Sequence, residues 1–106
     1  MPKYMIQASY NPEGVEGLLS KGGSSRRDAV EQAVRGLGGS LETFYFAFGD
    51  YDVYAIVDLP DNEAATAVAL SVNGAGSVTA RTVVLLTPDQ VDEATKRSVD
   101  YRPPGR

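Results

Sequence analysis

Residues 44–58 read FYFAFGDYDVYAIVD, and this stretch decides the fold. It holds six of the nine aromatic residues of the chain, in two alternating runs that meet at Gly49-Asp50. Alternation with period two is typical of strands, and a glycine at the first central position of a two-residue loop suits a type II′ turn, because glycine reaches positive φ without steric cost. The stretch therefore predicts a β-hairpin that turns at Gly49-Asp50.

The register of this hairpin assigns each of its side chains to one face of a sheet, because residues at equal distances from the turn are cross-strand partners. On one face, the core face, the predicted pairs are Phe48–Tyr51, Phe46–Val53 and Phe44–Ala55. On the other face they are Ala47–Asp52, Tyr45–Tyr54, Thr43–Ile56 and Leu41–Asp58. The first face is apolar apart from one phenol, and the second mixes tyrosines, aspartates and aliphatic residues.

The remaining segments predict further strands and helices. Alternation predicts strands over residues 3–10 and 77–86. Helical spacing and end signals predict a helix from Ser25 to Gly38-Gly39, a second from the N-cap Asp61 to Asn73-Gly74, and a third from the N-cap Thr87 to about Val99. Residues 13–23 contain four glycines and are predicted to form a loop with one helical turn.

This order predicts an α+β fold, the ferredoxin-like βαββαβ arrangement with a four-stranded antiparallel sheet, helices on one face and an extra C-terminal helix. One domain over residues 1–100 and a flexible tail over 101–106 are expected. The core face then takes Tyr4, Ile6, Ala8, Phe44, Phe46, Phe48, Val53, Ala55, Val78, Ala80, Val84 and Leu86. The helix-free face takes Met5, Gln7, Ser9, Thr43, Tyr45, Asp52, Tyr54, Ile56, Arg81, Val83 and Leu85.

The helix-free face is too apolar for a sheet surface that meets only water. We therefore expect a second copy of the chain to cover it, in a homo-oligomer whose copy number the sequence leaves open.

Composition excludes several classes of function. The 106 residues carry a formal charge of -4 with no cysteine and no histidine. Acidic charge disfavours nucleic acid and anionic membranes as partners, and the two absences remove thiolate chemistry and the commonest general base. We expect no metal site, no cofactor and no membrane-spanning segment, and a cytoplasmic location.

Three segments carry a family resemblance: FGDYD at residues 48–52, IVDLPD at 56–61 and LLTP at 85–88. Together they resemble the GYD-domain family, and the similarity extends over nearly the whole chain up to the last helix. The resemblance implies a ferredoxin-like domain of the dimeric α+β barrel type. That type includes cofactor-free monooxygenases, isomerase-like enzymes and ligand-sensing modules, so the resemblance supports the fold and lends no catalytic residue.

Five residues of the helix-free face are candidates for binding a small molecule: Gln7, Tyr45, Asp52, Tyr54 and Arg81. Asp52 is either a shielded base or a carboxylate paired with Arg81 or water. Arg81 suits an anionic ligand or an ion pair between subunits, and the two tyrosines suit a pocket wall or an interface. Apart from this face, residues 22–27 (GGSSRR) fit an anion site at a helix N-terminus less well than a plain helix start.

The leading hypothesis is a small oligomeric ligand-binding or regulatory module whose pocket or interface lies on the helix-free face. One alternative is a cofactor-independent enzyme acting on a small aromatic or acidic metabolite, with Asp52 or a tyrosine as base. The other is a purely structural assembly protein.

Overall fold

The structure is a computed structural model and describes residues 1–105. These residues contain four strands and four helices. Their order is β1 (Lys3–Tyr10), α1 (Pro12–Lys21), α2 (Gly23–Arg35), β2 (Ser40–Phe46), β3 (Val53–Asp58), α3 (Asn62–Ala75), β4 (Val78–Leu85) and α4 (Pro88–Thr95). The strands form one antiparallel sheet in the order β2-β3-β1-β4. The fold is therefore α+β and ferredoxin-like, with a helix after the last strand as predicted. Within residues 1–105, no helix has the length and apolar character needed to cross a membrane.

Side-chain caps start the two later helices where the sequence predicts them. The Asp61 carboxylate accepts a hydrogen bond from the Ala64 backbone N–H at 2.8 Å. Thr87 and Gln90 form a reciprocal capping box at the start of α4. The helix α4 ends at Thr95, earlier than the predicted Val99.

The loop predicted over residues 13–23 is wrong, because this segment forms helix α1. Asn11 caps it by accepting the Gly14 backbone N–H at 2.9 Å, and Pro12 occupies the first helical position, where its missing N–H costs nothing. The next helix, α2, begins at Gly23 without a side-chain cap, two residues before the predicted start at Ser25.

The hairpin has the predicted register at its centre. Phe46 pairs with Val53, Phe44 with Ala55, Tyr45 with Tyr54, and Thr43 with Ile56. The prediction that Leu41 pairs with Asp58 is wrong, because a β-bulge makes Glu42 an extra residue and moves Leu41 opposite Val57. Leu41 consequently packs against the core.

The predicted type II′ turn is also wrong. The Ala47 N–H donates to the Asp52 carbonyl oxygen at 2.8 Å, so that four residues, 48–51, connect the strands. Gly49 does not adopt positive φ. A four-residue connection keeps the same register as a two-residue turn centred at the same place, and for this reason the pairs further along the strands are unaffected.

The core lies between the helices and one face of the sheet. Its buried side chains are Tyr4, Ala8, Val34, Val53, Ala55, Val57, Leu59, Ala65 and Val78. Phe48, predicted to be in the core, is wholly exposed because it lies in the connection beyond the last sheet pair. Val84 is also exposed because it lies near the end of the edge strand β4, and Leu86 is exposed just after that strand.

The C-terminal segment contributes little to this core. Every residue from Leu86 to Arg102 is exposed, and α4 has no buried side chain. The tail predicted over residues 101–106 has no regular secondary structure from 101 to 105, and residue 106 lies outside the described residues.

Candidate functional site

Four of the five candidate residues form one row across the helix-free face of the sheet. Tyr45 on β2 is opposite Tyr54 on β3, Tyr54 is opposite Gln7 on β1, and Gln7 is opposite Arg81 on β4. Direct cross-strand partners have Cβ atoms about 4.5–5.5 Å apart, so these four side chains are immediate neighbours. The alternation predicted from the sequence brought them to one face, and the strand order put them in a row.

The fifth candidate, Asp52, lies beside this row and already has a structural partner. Its carboxylate accepts a hydrogen bond from the Tyr10 backbone N–H at 2.8 Å, and its own backbone N–H donates to the Ala8 carbonyl oxygen at 2.8 Å. The side chain therefore extends the ladder between β1 and β3 beyond the end of β3. This contact was not among the partners predicted for Asp52, which were Arg81 and water.

Tyr51 was predicted to close the core, and this prediction is wrong. Its ring packs edge-on against the ring of Tyr54, with centroids 5.9 Å apart. Tyr51 lies in the connection between β2 and β3, beyond the last sheet pair, Phe46–Val53. Strict alternation of side chains does not apply in such a connection. It adds a third tyrosine next to Tyr45 and Tyr54.

Apolar and aromatic side chains from all four strands surround the row on the helix-free face. Val83 and Tyr45 are exposed, whereas Met5, Ile56, Tyr54 and Leu85 are half-buried in a single copy of the chain. Within residues 1–105, α2 and α3 pack on the opposite side of the sheet, α1 lies beside them, and α4 has no buried side chain.

Charged side chains lie toward one end of the same face. The Lys3 ammonium group contacts the Asp58 carboxylate at 3.0 Å and the Glu42 carboxylate at 3.1 Å. The hydrogen bond to Asp58, followed by the one to Glu42, raises the pKa of Lys3 above its usual value. The sequence alone did not predict this cluster, because the bulge at Glu42 is what places that carboxylate beside Lys3.

The groups of the row are suited to binding and to contact with a partner. No set of three or more carboxylates within residues 1–105 has the geometry to hold a metal ion. One oxygen of the Asp52 carboxylate, which lies beside the row, accepts a backbone N–H. What remains is three flat tyrosine rings, an amide and a guanidinium group, which are groups that pack against and hydrogen-bond to a partner.

Comparison with known proteins gives one match. The family model described as the GYD domain matches residues 4–95, from the first residues of β1 to the last residue of α4. No curated protein and no solved structure matches the chain significantly.

Proposed function

Given that this chain belongs to the GYD domain family, we propose that it is a small self-associating module for ligand binding or regulation. In this proposal a second copy covers the helix-free face of the sheet. The observation that carries the proposal is the row of Tyr45, Tyr54, Gln7 and Arg81, which lies among apolar side chains on the face opposite to α2 and α3.

The distribution of charge on this face supports contact between copies. Interfaces between subunits have a centre that is poor in charged residues and rich in aromatic ones, with charged residues at the rim. Here the two central strands carry Met5, Tyr54 and Ile56, and the cluster around Lys3 lies at one end. Arg81 lies on the edge strand β4. A face of this composition loses unfavourable contact with water when a second copy covers it.

A covering subunit would also enclose the row of polar groups. Arg81 supplies a planar guanidinium group that suits a carboxylate, and the tyrosine rings supply flat walls. The proposed ligand pocket is the space that these side chains line between two copies. We propose that the protein is located in the cytoplasm.

A pair of valine variants tests the covering of this face. Val83 and Val84 are adjacent on β4 and point to opposite sides of the sheet, and Val84 is the more exposed, at 57% against 38% for Val83. In Val83→Glu, each copy would bring one negative charge into the contact between copies. Burial of a charge without a partner is costly. We expect this variant to sediment as a monomer at concentrations at which Val84→Glu still self-associates like the unaltered chain.

Circular dichroism of both variants serves as the control for folding. Equal self-association of folded Val83→Glu and Val84→Glu would contradict the proposal, since the helix-free face would then lie outside any contact between copies. Loss of self-association in Val84→Glu alone would place the contact on the other side of the sheet.

A further inference from the structure

A cavity lies on the other side of the sheet, where β1 and β3 meet helices α2 and α3. Its inner part has a volume of about 160 Å³. The walls are apolar side chains of the sheet and of both helices, among them Ile6, Phe44, Val30 and Val68. Among residues 1–105, Tyr10 and Arg26 are the two that bring polar side chains to this inner part.

The inner part opens into a wider hollow of about 550 Å³ between α1, α2 and the end of α3. Polar side chains line this hollow, including Glu13, Lys21, Ser25 and Ser71. Five residues line both parts, so the two are continuous: Tyr10, Arg26, Ala29, Val72 and Val78. The cavity therefore runs from a wide mouth with several polar side chains to an apolar end.

Arg26 lies where the two parts meet, and its charge is not neutralised by the protein. The side chain is half-buried. Within the part of the chain that the structure describes, the ion pairs involve Lys3, Arg27 and Arg35, and no carboxylate lies within 4.0 Å of Arg26. A half-buried guanidinium group without a carboxylate is a strong attractor for an anion, because the partly desolvated charge gains more from an ion pair than an exposed one does.

We propose that this cavity binds a small monocarboxylic acid with one aromatic ring or an apolar body of similar size. The apolar body occupies the inner part, and the carboxylate meets Arg26 at the junction. The size follows from the volume, because an apolar cavity of about 150 Å³ is large enough to hold one benzene ring. The single negative charge follows from the lining, since the formal charges of Arg26, Lys21 and Glu13 sum to one positive charge, which one carboxylate balances.

This site is distinct from the helix-free face, because the sheet separates the two. The proposed function concerns the contact between copies and the pocket enclosed there, whereas this cavity is formed by residues of a single chain. Self-association and acid binding are therefore separate properties, and each can fail without the other.

Titration of the full-length chain with three aromatic acids tests the proposal. The probes are benzoate, phenylacetate and 3-phenylpropanoate, and the controls are their uncharged amides and acetate. We expect saturable binding of at least one aromatic acid by calorimetry, with its amide and acetate binding at least about tenfold more weakly, because each lacks either the charge or the apolar body.

Two pairs of variants locate the binding. We expect Arg26→Gln to weaken binding of the acid about tenfold or more, and Arg27→Gln to leave it unchanged, because Arg27 pairs with Asp28 at 3.2 Å and lies outside the cavity. Ala29→Leu fills the junction and abolishes binding, whereas Ala67→Leu, on a part of α3 away from the cavity, does not. Thermal unfolding in the absence of ligand shows that each variant is folded.

Three results would overturn the proposal. The first is no binding of any of the three acids to the unaltered chain. The second is equal binding of an acid and its amide, and the third is unchanged affinity in folded Arg26→Gln and Ala29→Leu.

Discussion

At the scale of single residues, the Asp52 carboxylate replaces a backbone acceptor at the end of the sheet. The Tyr10 N–H donates to it at 2.8 Å beyond the last residue pair between β1 and β3. A partly buried N–H that loses its acceptor costs about 1–3 kcal/mol. The position therefore matters for stability whatever else the carboxylate contacts.

We expect Asp52→Ala to lower the free energy of unfolding by about 1–3 kcal/mol. The loss in Asp52→Asn should be smaller, because the amide oxygen is still able to accept the Tyr10 N–H. Urea unfolding at fixed protein concentration measures both, with Asp50→Ala, an exposed residue of the same connection, as the control. Equal stability of Asp52→Ala and Asp50→Ala would contradict this role.

The phenol of Tyr10 makes the stability of the fold depend on pH in the alkaline range. Burial of its phenol raises its pKa above the usual 10.0, and the nearby Arg26 guanidinium opposes this shift. Since the folded pKa is the higher one, the contribution of Tyr10 to stability is complete below the unfolded value. It is lost as the pH rises through the folded value.

The phenolate absorbance of the unaltered chain minus that of Tyr10→Phe isolates this residue. We expect the difference to titrate above pH 10.0, the ordinary value for tyrosine. A midpoint at or below that value would show that the phenol is not shielded as the cavity wall requires.

At the scale of the elements, the turn between α2 and β2 depends on a close approach of two segments of backbone. A Cβ at Gly39 would meet the carbonyl oxygen of Asp58 and lie 2.8 Å from the Leu59 side chain, which is buried in the core. Accommodation of that carbon would require β2 to move away from the end of β3.

We therefore expect Gly39→Ala to destabilise the fold by about 1–3 kcal/mol, as overpacking usually does. Gly17→Ala should have the opposite effect and stabilise by up to about 1 kcal/mol, because Gly17 lies inside α1 with open space around its Cα. Thermal unfolding of the two variants compares them directly. A stabilising Gly39→Ala would mean that the approach is looser than the structure shows.

Sequence signals predicted the elements that local chemistry controls. The caps at Asp61 and Thr87 and the alternation of the four strands were sufficient, because each depends on residues close in the chain. The four glycines of residues 13–23 predicted a loop, although Asn11 and Pro12 start a helix there. The bulge at Glu42 was not predictable by alternation, since it depends on how β2 meets β3.

At the scale of the whole molecule, the sheet separates two surfaces that the sequence predicts unequally well. The row on the helix-free face follows from alternation and strand order, and Gln7, Tyr45, Tyr54 and Arg81 were all assigned to it in advance. The cavity depends on how far apart α2 and α3 lie over the sheet. Spacing of this kind is a property of the packed structure and leaves no pattern in the sequence. The sequence did show two arginines near the start of α2, one of which lines the cavity.

The central claim is that a second copy covers the helix-free face, and the mass of the unaltered chain in solution tests it most directly. Sedimentation equilibrium at micromolar concentrations should give at least twice the 11.3 kDa of one chain. A mass of 11.3 kDa that persists as the concentration rises to about 100 μM, where even weak contacts between proteins begin to be populated, would contradict the claim.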